Sequence, residues 1–390
     1  MKLATRCVRA FAEDDPYGAV APPIYQTATF RQPSAVTFGE YDYSRTANPT
    51  RTLVEQHIAG LEHARFACAF ASGMAAITAV TRLVQAGEEI LAGDDLYGGT
   101  TRLLAKIAPR QGIRVRWVDA TDPEAVEQEI GPDTRLLLVE SPTNPLLRVA
   151  DLERLAALAR RRGVLLAVDN SLLSPVLQRP IALGAHLVIH SATKVLCGHG
   201  DVMAGVVVTD DEDLHRQIAF HLNAEGAGLA PFDSWLLLRG VKTLALRVER
   251  QSASARKVAR FLAEQPGVRQ VFDPGVGPVV SFTTGDPELS RRFVEAARWF
   301  TIAVSFGSVT SSISLPCFMS HAGVPAELRG RLAPPADLVR LSVGIEDPDD
   351  LLDDLRQAFT VAEAGSRSSP GHPAGTRSEV CAEPVFCSPD

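Results

Sequence analysis

Short apolar runs of strand length alternate with helix-patterned stretches between residues 88 and 190, and this alternation constrains the fold more than any other feature of the sequence. The runs are EEILAG, IRVRWVD, TRLLLVE, GVLLAVD and HLVIH. The amphipathic stretch ADLERLAALARRRG separates two of them. Alternation of this kind predicts βαβ units and a largely parallel sheet, in which functional residues gather at the carboxyl ends of the strands.

The length of the chain predicts more than one domain. Its 390 residues exceed the roughly 250–300 at which one hydrophobic core stops growing. We predict an N-terminal arm over 1–49 that contacts a neighbouring subunit, a large domain over 50–232, a smaller C-terminal α/β domain over 233–364 and a disordered tail over 365–390. The arm has no sustained periodicity, and the tail is dense in Ser, Pro and Gly.

Composition excludes several classes of partner. The net charge of −7 provides no basic face, which argues against nucleic acid or an anionic membrane. No apolar run approaches the length that spans a bilayer, and the first residues, MKLATRCVRAFAEDD, lack an apolar signal core, so we expect a cytoplasmic protein. The six cysteines have no CxxC spacing and the histidines form no HExxH pair, so we predict no metal site.

One lysine, Lys194, follows the run HLVIH and a turn of small hydroxyl residues. Its place before the apolar pair Val195 and Leu196 predicts partial desolvation, which favours the neutral amine over the ammonium form. A neutral amine can form a Schiff base with an aldehyde, and pyridoxal phosphate (PLP) is the aldehyde that best suits this chemistry. The alternative, from the local pattern alone, is a lysine whose charged end extends to solvent at a strand end.

The other strand ends carry the groups that PLP requires. The pyridine nitrogen needs a buried carboxylate, and Asp169 follows the run VLLAV. Tyr97 is placed to cover the ring, and Asn144 is placed to donate to the phenolic oxygen. Each position has a plainer alternative, such as a helix cap for Asp169 and a core position for Tyr97.

A phosphate dianion needs several donors and a fixed cation. The turn at Ser72 and Gly73 precedes a helix-patterned stretch, so its amides favour an anion, although such a turn is also an ordinary helix cap. Arg45, with Tyr43 beside it, is a candidate cation supplied by a partner's arm. The candidate donors are the amides near Ser72, Gly73 and Met74 and the hydroxyls of Ser191 and Thr193.

Arg340 lies between apolar residues in the stretch LVRLSVG. An arginine in this setting is suited to a bidentate contact with a substrate carboxylate. The plainer alternative is a strand arginine in a surface ion pair.

Taken in order, eight motifs resemble the Cys/Met-metabolism family of PLP enzymes. They are YSRTANPT, ASGMAA, GDDLYGGT, ESPTNP, VDNSLLSP, HSATKVLCGHGD, LLLRGVKTLALR and LVRLSVGIED. The resemblance extends from Thr5 to Phe359, and the family includes cystathionine γ-synthase, cystathionine γ-lyase, methionine γ-lyase and the homoserine-ester sulfhydrylases. It implies an α/β protein of PLP fold type I, like aspartate aminotransferase, usually a homotetramer of paired active dimers.

The resemblance also implies a role for each motif residue. It assigns the bond to PLP and proton transfer between substrate carbons to Lys194, with Tyr97 as the second catalytic residue. The implied cofactor-binding residues are Lys194, Asp169 at the pyridine nitrogen, Tyr97 on the ring, Asn144 at the phenolic oxygen, and Ser72, Gly73, Met74, Ser191 and Thr193 at the phosphate, with Tyr43 and Arg45 from the neighbour. The implied substrate-binding residues are Arg340, Ser305, Asn144 and Thr310.

The chain departs from the family pattern in the stretch SFGSVTSSI, which begins at Ser305. A glutamate that many members carry falls at Thr310, and Phe306 and Ser312 replace leucines. Loss of that carboxylate removes the obvious partner for a second substrate ammonium, which argues against cystathionine itself as the substrate. Gly99 resembles the cystathionine enzymes, GHGD and QTATF resemble methionine γ-lyase, and the stretch near Gly275 to Pro278 is shorter than in relatives.

These features predict a γ-elimination lyase for an L-amino acid with a leaving group at Cγ and an altered substrate pocket. One alternative is a γ-replacement synthase that uses an acylated homoserine. Others are a specialised enzyme with an unusual leaving group, such as a halide, and a protein that binds PLP without turnover.

Overall fold

The computed structural model of the chain describes residues 1–9, 17–324, 328 and 332–367. It divides the chain into two compact units. The first unit comprises Met1–Gly93, Ala108–Ser141 and Ala150–Val248, and the second comprises Asp94–Ile107, Pro142–Val149 and the chain from Glu249 onwards. The boundaries predicted at residues 49, 232 and 364 remain predictions. Most of the predicted tail, residues 368–390, lies outside the described residues.

The helices and strands follow one another in the alternating order that the sequence predicts. As far as residue 209 they are α1 (Leu3–Val8), α2 (Pro49–Glu62), β1 (Phe66–Phe70), α3 (Gly73–Thr81), β2 (Glu89–Gly93), α4 (Gly98–Arg102), β3 (Arg114–Val118), α5 (Pro123–Glu129), β4 (Thr134–Glu140), α6 (Leu152–Arg162), β5 (Leu165–Asp169), α7 (Ser174–Leu177), β6 (Leu187–His190) and β7 (Gly205–Thr209). Beyond it they are α8 (Glu212–Ala224), α9 (Pro231–Val241), α10 (Leu244–Ala263), β8 (Gln270–Phe272), β9 (Val279–Thr283), α11 (Pro287–Ala296), β10 (Thr301–Ile302), β11 (Ser312–Ser314), β12 (Leu338–Ser342) and α12 (Pro348–Arg367).

A seven-stranded sheet with the order β1-β7-β6-β5-β4-β2-β3 forms the centre of the first unit. Strands β2 to β6 pair in parallel, and only β7, which lies between β1 and β6, is antiparallel to its neighbours. The expectation of a largely parallel sheet is confirmed. In such a sheet the strand ends that carry Glu140, Asp169 and His190 face the same edge, which is where ligands bind in folds of this type.

Strand β4 and helix α6 show how the sequence forms these elements. Every residue of β4 except Arg135 is buried, as expected for an apolar strand covered on both faces. The Asp151 carboxylate caps α6 by accepting from the amide of Arg154, and Gly163 ends the helix with a φ of 66°. The apolar stripe of α6 then packs on the sheet, with Leu155 and Leu158 in the same core cluster as Leu137 of β4.

The second unit contains a five-stranded sheet with the order β10-β11-β12-β9-β8. Side chains alternate between its faces, so Phe282 and Leu341 join the apolar core formed with α10, α11 and α12. Arg340 lies on the opposite face, where its registered neighbours are Ser314 of β11 and Ser281 of β9. The stretch LVRLSVG therefore places one buried arginine among small hydroxyl residues.

The described part of the N-terminal segment contains α1 and an isolated bridge between Thr29 and Tyr43. Several of its large apolar side chains are exposed, among them Tyr17 at 95%, Val36 at 88% and Phe38 at 66%. No helix of the described residues is long and apolar enough to cross a membrane.

Candidate active site

The ends of β5 and β6 in the first unit bring Asp169 close to the turn that carries Lys194. Asp169 is registered with Ile189, and the amide of Ser191 donates to the hydroxyl of Ser171 over 2.6 Å. The Asp169 carboxylate accepts from the amide of Ser171 at 2.9 Å. Burial raises the pKa of Asp169, while the bonds from Ser171 and the positive charges of His190 and Lys194 oppose that rise. A carboxylate in this position stabilises a cationic nitrogen.

A buried polar network continues from His190, the last residue of β6. Its Nε2 lies 2.7 Å from Oε1 of Glu62 on α2, and both side chains are fully buried. The side-chain Nδ2 of Asn170, next to Asp169, donates to the same carboxylate oxygen at 3.3 Å and to the Gln178 carbonyl at 2.8 Å. These contacts fix Asn170, next to Asp169, and His190, at the end of the neighbouring strand, through Glu62, a residue outside the motifs.

The predicted anion site lies at the start of α3. Ser72 caps the helix, and its Oγ accepts from the amide of Ala75 at 3.1 Å, so the amides of Gly73 and Met74 are the first-turn donors that lack an intrahelical acceptor. A Cβ placed on Gly73 would lie 2.8 Å from Cβ and 2.9 Å from Oγ of Ser191. The absence of a side chain at Gly73 thus allows the helix start and the Ser191 hydroxyl to approach each other.

Thr193 and Lys194 continue the turn after β6. The Thr193 hydroxyl donates to the carbonyl of Ala204 at 3.2 Å and accepts from its amide at 2.9 Å. These bonds tie the turn to the start of β7, and a phosphate contact by Thr193 remains a prediction. Lys194 is neither fully buried nor fully exposed, in agreement with the partial desolvation that its sequence neighbours predict.

Tyr43 and Arg45 lie together on the surface of the first unit. The guanidinium carbon of Arg45 is 5.1 Å from the centre of the Tyr43 ring, and Nε donates to Oδ1 of Asn223 at 3.2 Å. Arg51 of α2 is buried and holds the loop by donating to the carbonyls of Ser44 and Thr46, both at 2.8 Å. The loop therefore presents the tyrosine and the arginine as one exposed pair.

The substrate-side candidates Arg340, Asn144 and Ser305 come together in the second unit. Arg340 is 2% exposed and donates to Oδ1 of Asn144 at 2.8 Å and to the carbonyl of Ser305 at 2.6 Å. Because Oδ1 of Asn144 accepts from the arginine, the amide nitrogen of Asn144 is oriented as a donor elsewhere. Ser305 contacts Arg340 through its main chain and adopts a φ of 82°, which is unusual for a residue other than glycine.

The residues after Ser305 differ in their burial and in their hydrogen bonds. The Phe306 ring is buried, and its centre lies 5.6 Å from the guanidinium carbon of Arg340. Thr310 is exposed, with its Oγ1 3.4 Å from Oγ of Ser308. Glu346 accepts from the amide and the hydroxyl of Ser311 at 2.6 and 2.9 Å. A carboxylate is thus bound one residue away from the position where many relatives have a glutamate.

Tyr97 directly precedes α4 and is 37% exposed. Its ring meets the ring of His321 edge-on, with centres 6.4 Å apart and an angle of 85° between the planes. His321 is buried, and burial together with the charge of Arg340 lowers its pKa to about 4, so it is neutral at pH 7. His321 is a site residue that sequence reasoning missed, because a single histidine in a loop carries no spacing signal.

Three comparisons with known proteins identify the family of the chain. A model of the Cys/Met metabolism PLP-dependent enzyme family matches residues 4–360. The chloroplastic cystathionine beta-lyase of Arabidopsis thaliana is 51% identical over 373 residues, 92% of this chain and 80% of that protein. The cystathionine gamma-lyase of Bacillus subtilis is 45% identical over 362 residues, 89% of this chain and 96% of that protein. The crystal structure of cystathionine gamma-lyase from Lactobacillus plantarum complexed with L-serine has a TM-score of 0.90 and 40% identity, covering 93% of this chain and all of that one.

Fold and comparisons together define a PLP-dependent enzyme of fold type I that acts as a carbon–sulfur lyase or synthase. The chain belongs to the Cys/Met-metabolism family of PLP-dependent enzymes, as its motifs predicted. The first unit also fits this cofactor physically. The first-turn amides of Gly73 and Met74, next to the Ser191 hydroxyl, are donors for an anion, and Asp169 provides a carboxylate whose ionisation a bound cation favours.

Proposed function

We propose that the protein is a carbon–sulfur lyase that eliminates a thiol from a thioether L-amino acid of the cystathionine type. This proposal departs from the expectation that the loss of a glutamate at Thr310 raised, because relatives at 51% and 45% identity are named cystathionine lyases. The observation that carries this proposal is the contact of the buried Arg340 with Asn144 and Ser305, which provides an amino-acid carboxylate site in a family of lyases and synthases. The cofactor residues are Lys194, Asp169, Ser72, Gly73, Met74, Ser191, Thr193, Tyr97 and Asn144, with Tyr43 and Arg45 from a neighbouring subunit.

In the mechanism that we propose, Arg340 binds the substrate carboxylate and thereby orients Cα. Lys194 takes the proton from Cα with its Nζ and returns it later in the reaction. When bound, PLP supplies the electron sink that makes this proton acidic. Asp169 stabilises positive charge at its end of the site, and the neutral His321 leaves Arg340 as the cation that meets the carboxylate. Elimination then releases the thiol, and water converts the remaining fragment into a 2-oxo acid and ammonia.

The bond that is cut distinguishes two versions of the reaction. Cleavage at Cβ of cystathionine gives homocysteine, pyruvate and ammonia, and the Arabidopsis relative named as a beta-lyase, at 51% identity, favours this version. Cleavage at Cγ gives cysteine, 2-oxobutanoate and ammonia, and it is favoured by the sequence resemblance and by the B. subtilis relative at 45% identity. Both versions use the same Arg340 and Lys194.

The test is to offer L-cystathionine to the PLP-loaded enzyme and to identify the oxo acid and the thiol by mass. Pyruvate with homocysteine establishes Cβ cleavage, and 2-oxobutanoate with cysteine establishes Cγ cleavage. A panel of γ-substituted amino acids, including an acylated homoserine with and without cysteine and a γ-halide, covers the alternatives. Strict dependence on an added thiol, without any oxo acid, would refute the lyase and support the synthase.

We propose also that the enzyme is a homotetramer whose sites are shared between neighbours. The exposed apolar side chains of the N-terminal segment, such as Val36 and Phe38, and the exposed pair Tyr43 and Arg45 support this assembly. Mixing inactive Lys194→Ala and Arg45→Ala chains tests it, because a mixed dimer contains one site in which both residues are intact. Activity that returns on mixing supports shared sites, and a monomeric mass in solution would refute them.

A cytoplasmic location is part of the same proposal. Cys7, Cys68, Cys197 and Cys317 are buried free thiols, which is typical of proteins from a reducing compartment. Cell fractionation with an antibody against the chain tests the location, and recovery in an organelle or outside the cell would refute it.

A further inference from the structure

The turn that carries Lys194 is compact and closed by its own main chain. The amide of Lys194 donates to the carbonyl of Ser191 at 3.0 Å, and the amide of Gly198 donates to the carbonyl of Lys194 at 2.8 Å. The three residues after the lysine, Val195 to Cys197, are almost fully buried. These local bonds leave the carbonyls of Val195 and Leu196 directed out of the turn.

A single buried guanidinium donates hydrogen bonds to both of these carbonyls. Arg247, in the first turn of α10, is 4% exposed and donates to the carbonyl of Val195 at 2.8 Å and to that of Leu196 at 3.1 Å. It also donates to the carbonyl of Gly240 in α9 at 2.9 Å and through Nε to Oγ1 of Thr243 at 3.0 Å. One side chain therefore ties the residues that follow the lysine to the junction of α9 and α10.

Two glycines make room for this link. A Cβ on Gly198 would lie 1.8 Å from Nη1 of Arg247, and Gly198 has a φ of 73°. A Cβ on Gly240 would lie 2.4 Å from the carbonyl oxygen of Cys197. Gly198, the first glycine of GHGD, and Gly240, at the end of LLLRG, thus have a steric role that the sequence motifs alone do not reveal.

The link holds the turn without adding a negative charge to it. Its acceptors are carbonyl and hydroxyl oxygens. Burial lowers the pKa of Arg247 to about 10, so the side chain is still protonated at neutral pH, and its bonds are charge-assisted. A carboxylate acceptor here would instead favour the ammonium form of the neighbouring lysine.

We propose that Arg247 is a positioning residue, which fixes the turn from Ser191 to Gly198 and thereby orients Lys194 toward the cofactor. The proposal rests on the proposed role of Lys194 as the residue that binds PLP. Its structural part, the anchoring of the turn, is independent of that role. To separate the two parts, amide hydrogen exchange of the turn and the rate of PLP release are measured in the same samples.

The experiment compares the PLP-loaded parent enzyme with Arg247→Met, Arg247→Lys and Thr243→Val. Amide hydrogen exchange of a peptide covering residues 191–200 reports on the turn, and loss of the visible absorbance on dilution reports on PLP release. In Arg247→Met, we expect both rates to rise about tenfold or more, because charge-assisted bonds to two carbonyls are lost. Arg247→Lys and Thr243→Val retain part of the contacts, so smaller increases are expected.

Arg292→Lys is the matched control, because Arg292 also donates to a main-chain carbonyl, that of Ala362 at 3.0 Å, but belongs to the second unit. It should leave both rates within about twofold of the parent, since it does not contact the turn. If Arg247→Met cannot be purified folded, Arg247→Lys and Thr243→Val decide the question, because neither substitution strains the main chain of the turn itself, and unchanged exchange in both would refute the anchoring.

Three results would overturn the proposal. The first is unchanged exchange of the 191–200 peptide in the Arg247 variants. The second is exchange that rises equally in all peptides of the first unit, which would make Arg247 only a general stabiliser. The third is faster exchange with unchanged PLP release. If Lys194→Ala keeps the visible absorbance of the parent, the proposed function fails instead, and the exchange data still report on the anchoring.

Discussion

The two units hold their candidate site residues by different means. In the first unit, Asp169, Ser191 and Lys194 follow neighbouring strands, and main-chain bonds and a buried network fix them. In the second unit, Arg340 contacts Asn144, which is 196 positions away in the chain, and the main chain of Ser305, which lies in an irregular segment. Regular structure thus positions the cofactor residues of the first unit, whereas long-range packing positions Arg340 and Asn144 in the second.

This difference indicates which properties can change independently. A substitution in the segment from Ser305 to Ser311 alters what lies near Arg340 without disturbing the strand ends of the first unit. Phe306 and Thr310, two of the three residues that depart from the family pattern here, lie in this segment, and the third, Ser312, follows it directly. We therefore expect substrate preference to vary with the residues near Arg340, while Lys194, Asp169 and the phosphate donors of the first unit stay unchanged.

The largest expected effect is that of Lys194→Ala. Because one amine binds the cofactor and moves the Cα proton, we expect kcat for amino-acid consumption to fall by about 10³-fold or more. Lys257→Ala is the control, because the Lys257 side chain is half exposed and its ion pair is a long surface contact, with Nζ 3.8 Å from Oδ1 of the exposed Asp349. Steady-state kinetics and the visible spectrum of each loaded protein provide the measurements. A folded Lys194→Ala enzyme with the kcat of the parent would refute the proposed role of Lys194 in binding PLP and transferring the Cα proton.

Arg340→Lys tests the second unit by keeping the charge while removing the planar fork of donors. We expect kcat/KM to fall by about 10²-fold, because a lysine cannot contact Asn144, Ser305 and a carboxylate at once. PLP content, measured after alkaline release, should match that of the parent. Loss of PLP together with kcat/KM would show that Arg340 also supports cofactor binding, through its contact with Asn144.

The sequence predicted the first unit better than the second, for physical reasons. Strand ends are readable from apolar periodicity, so Asp169 and Lys194 could be found from the runs that precede them. Motif matching supplied Arg340, but the bond to the Ser305 carbonyl depends on a φ of 82° that serine rarely adopts, and no pattern signals it. Glu62 and His190 meet across 128 positions, so their pairing also required the fold.

Asp95 offers a stability test within the second unit. Burial raises its pKa to about 6, against the opposing effects of a hydrogen bond from Thr143 and the charge of Arg148. A folded pKa above the unfolded one contributes stability that is present below pH about 4 and is lost as pH rises through about 6. Relative to Asp95→Asn, the parent should lose up to about 3 kcal/mol of unfolding free energy over that window.

Denaturant unfolding of parent and variant at pH 4, 5, 6 and 7 measures this difference. Asp349→Asn is the control, because the Asp349 side chain is 82% exposed, and its substitution should leave the pH dependence unchanged. A constant difference between the parent and Asp95→Asn at all four pH values would show that the carboxyl of Asp95 is ionised alike in the folded and unfolded chains.

The smallest expected effect concerns Thr310, where many relatives have a glutamate. Thr310→Glu adds an exposed carboxylate beside Ser311, whose amide and hydroxyl already bind Glu346. An exposed ion pair contributes up to about 1 kcal/mol, so kcat/KM for cystathionine relative to a thioether without a distal ammonium should rise about twofold to fivefold. Thr310→Gln adds a side chain of similar size without the charge, so a difference between Thr310→Glu and Thr310→Gln reports on the charge. If the parent already prefers cystathionine strongly and Thr310→Glu adds nothing, then Glu346 or another carboxylate supplies the distal charge, and specificity does not depend on position 310.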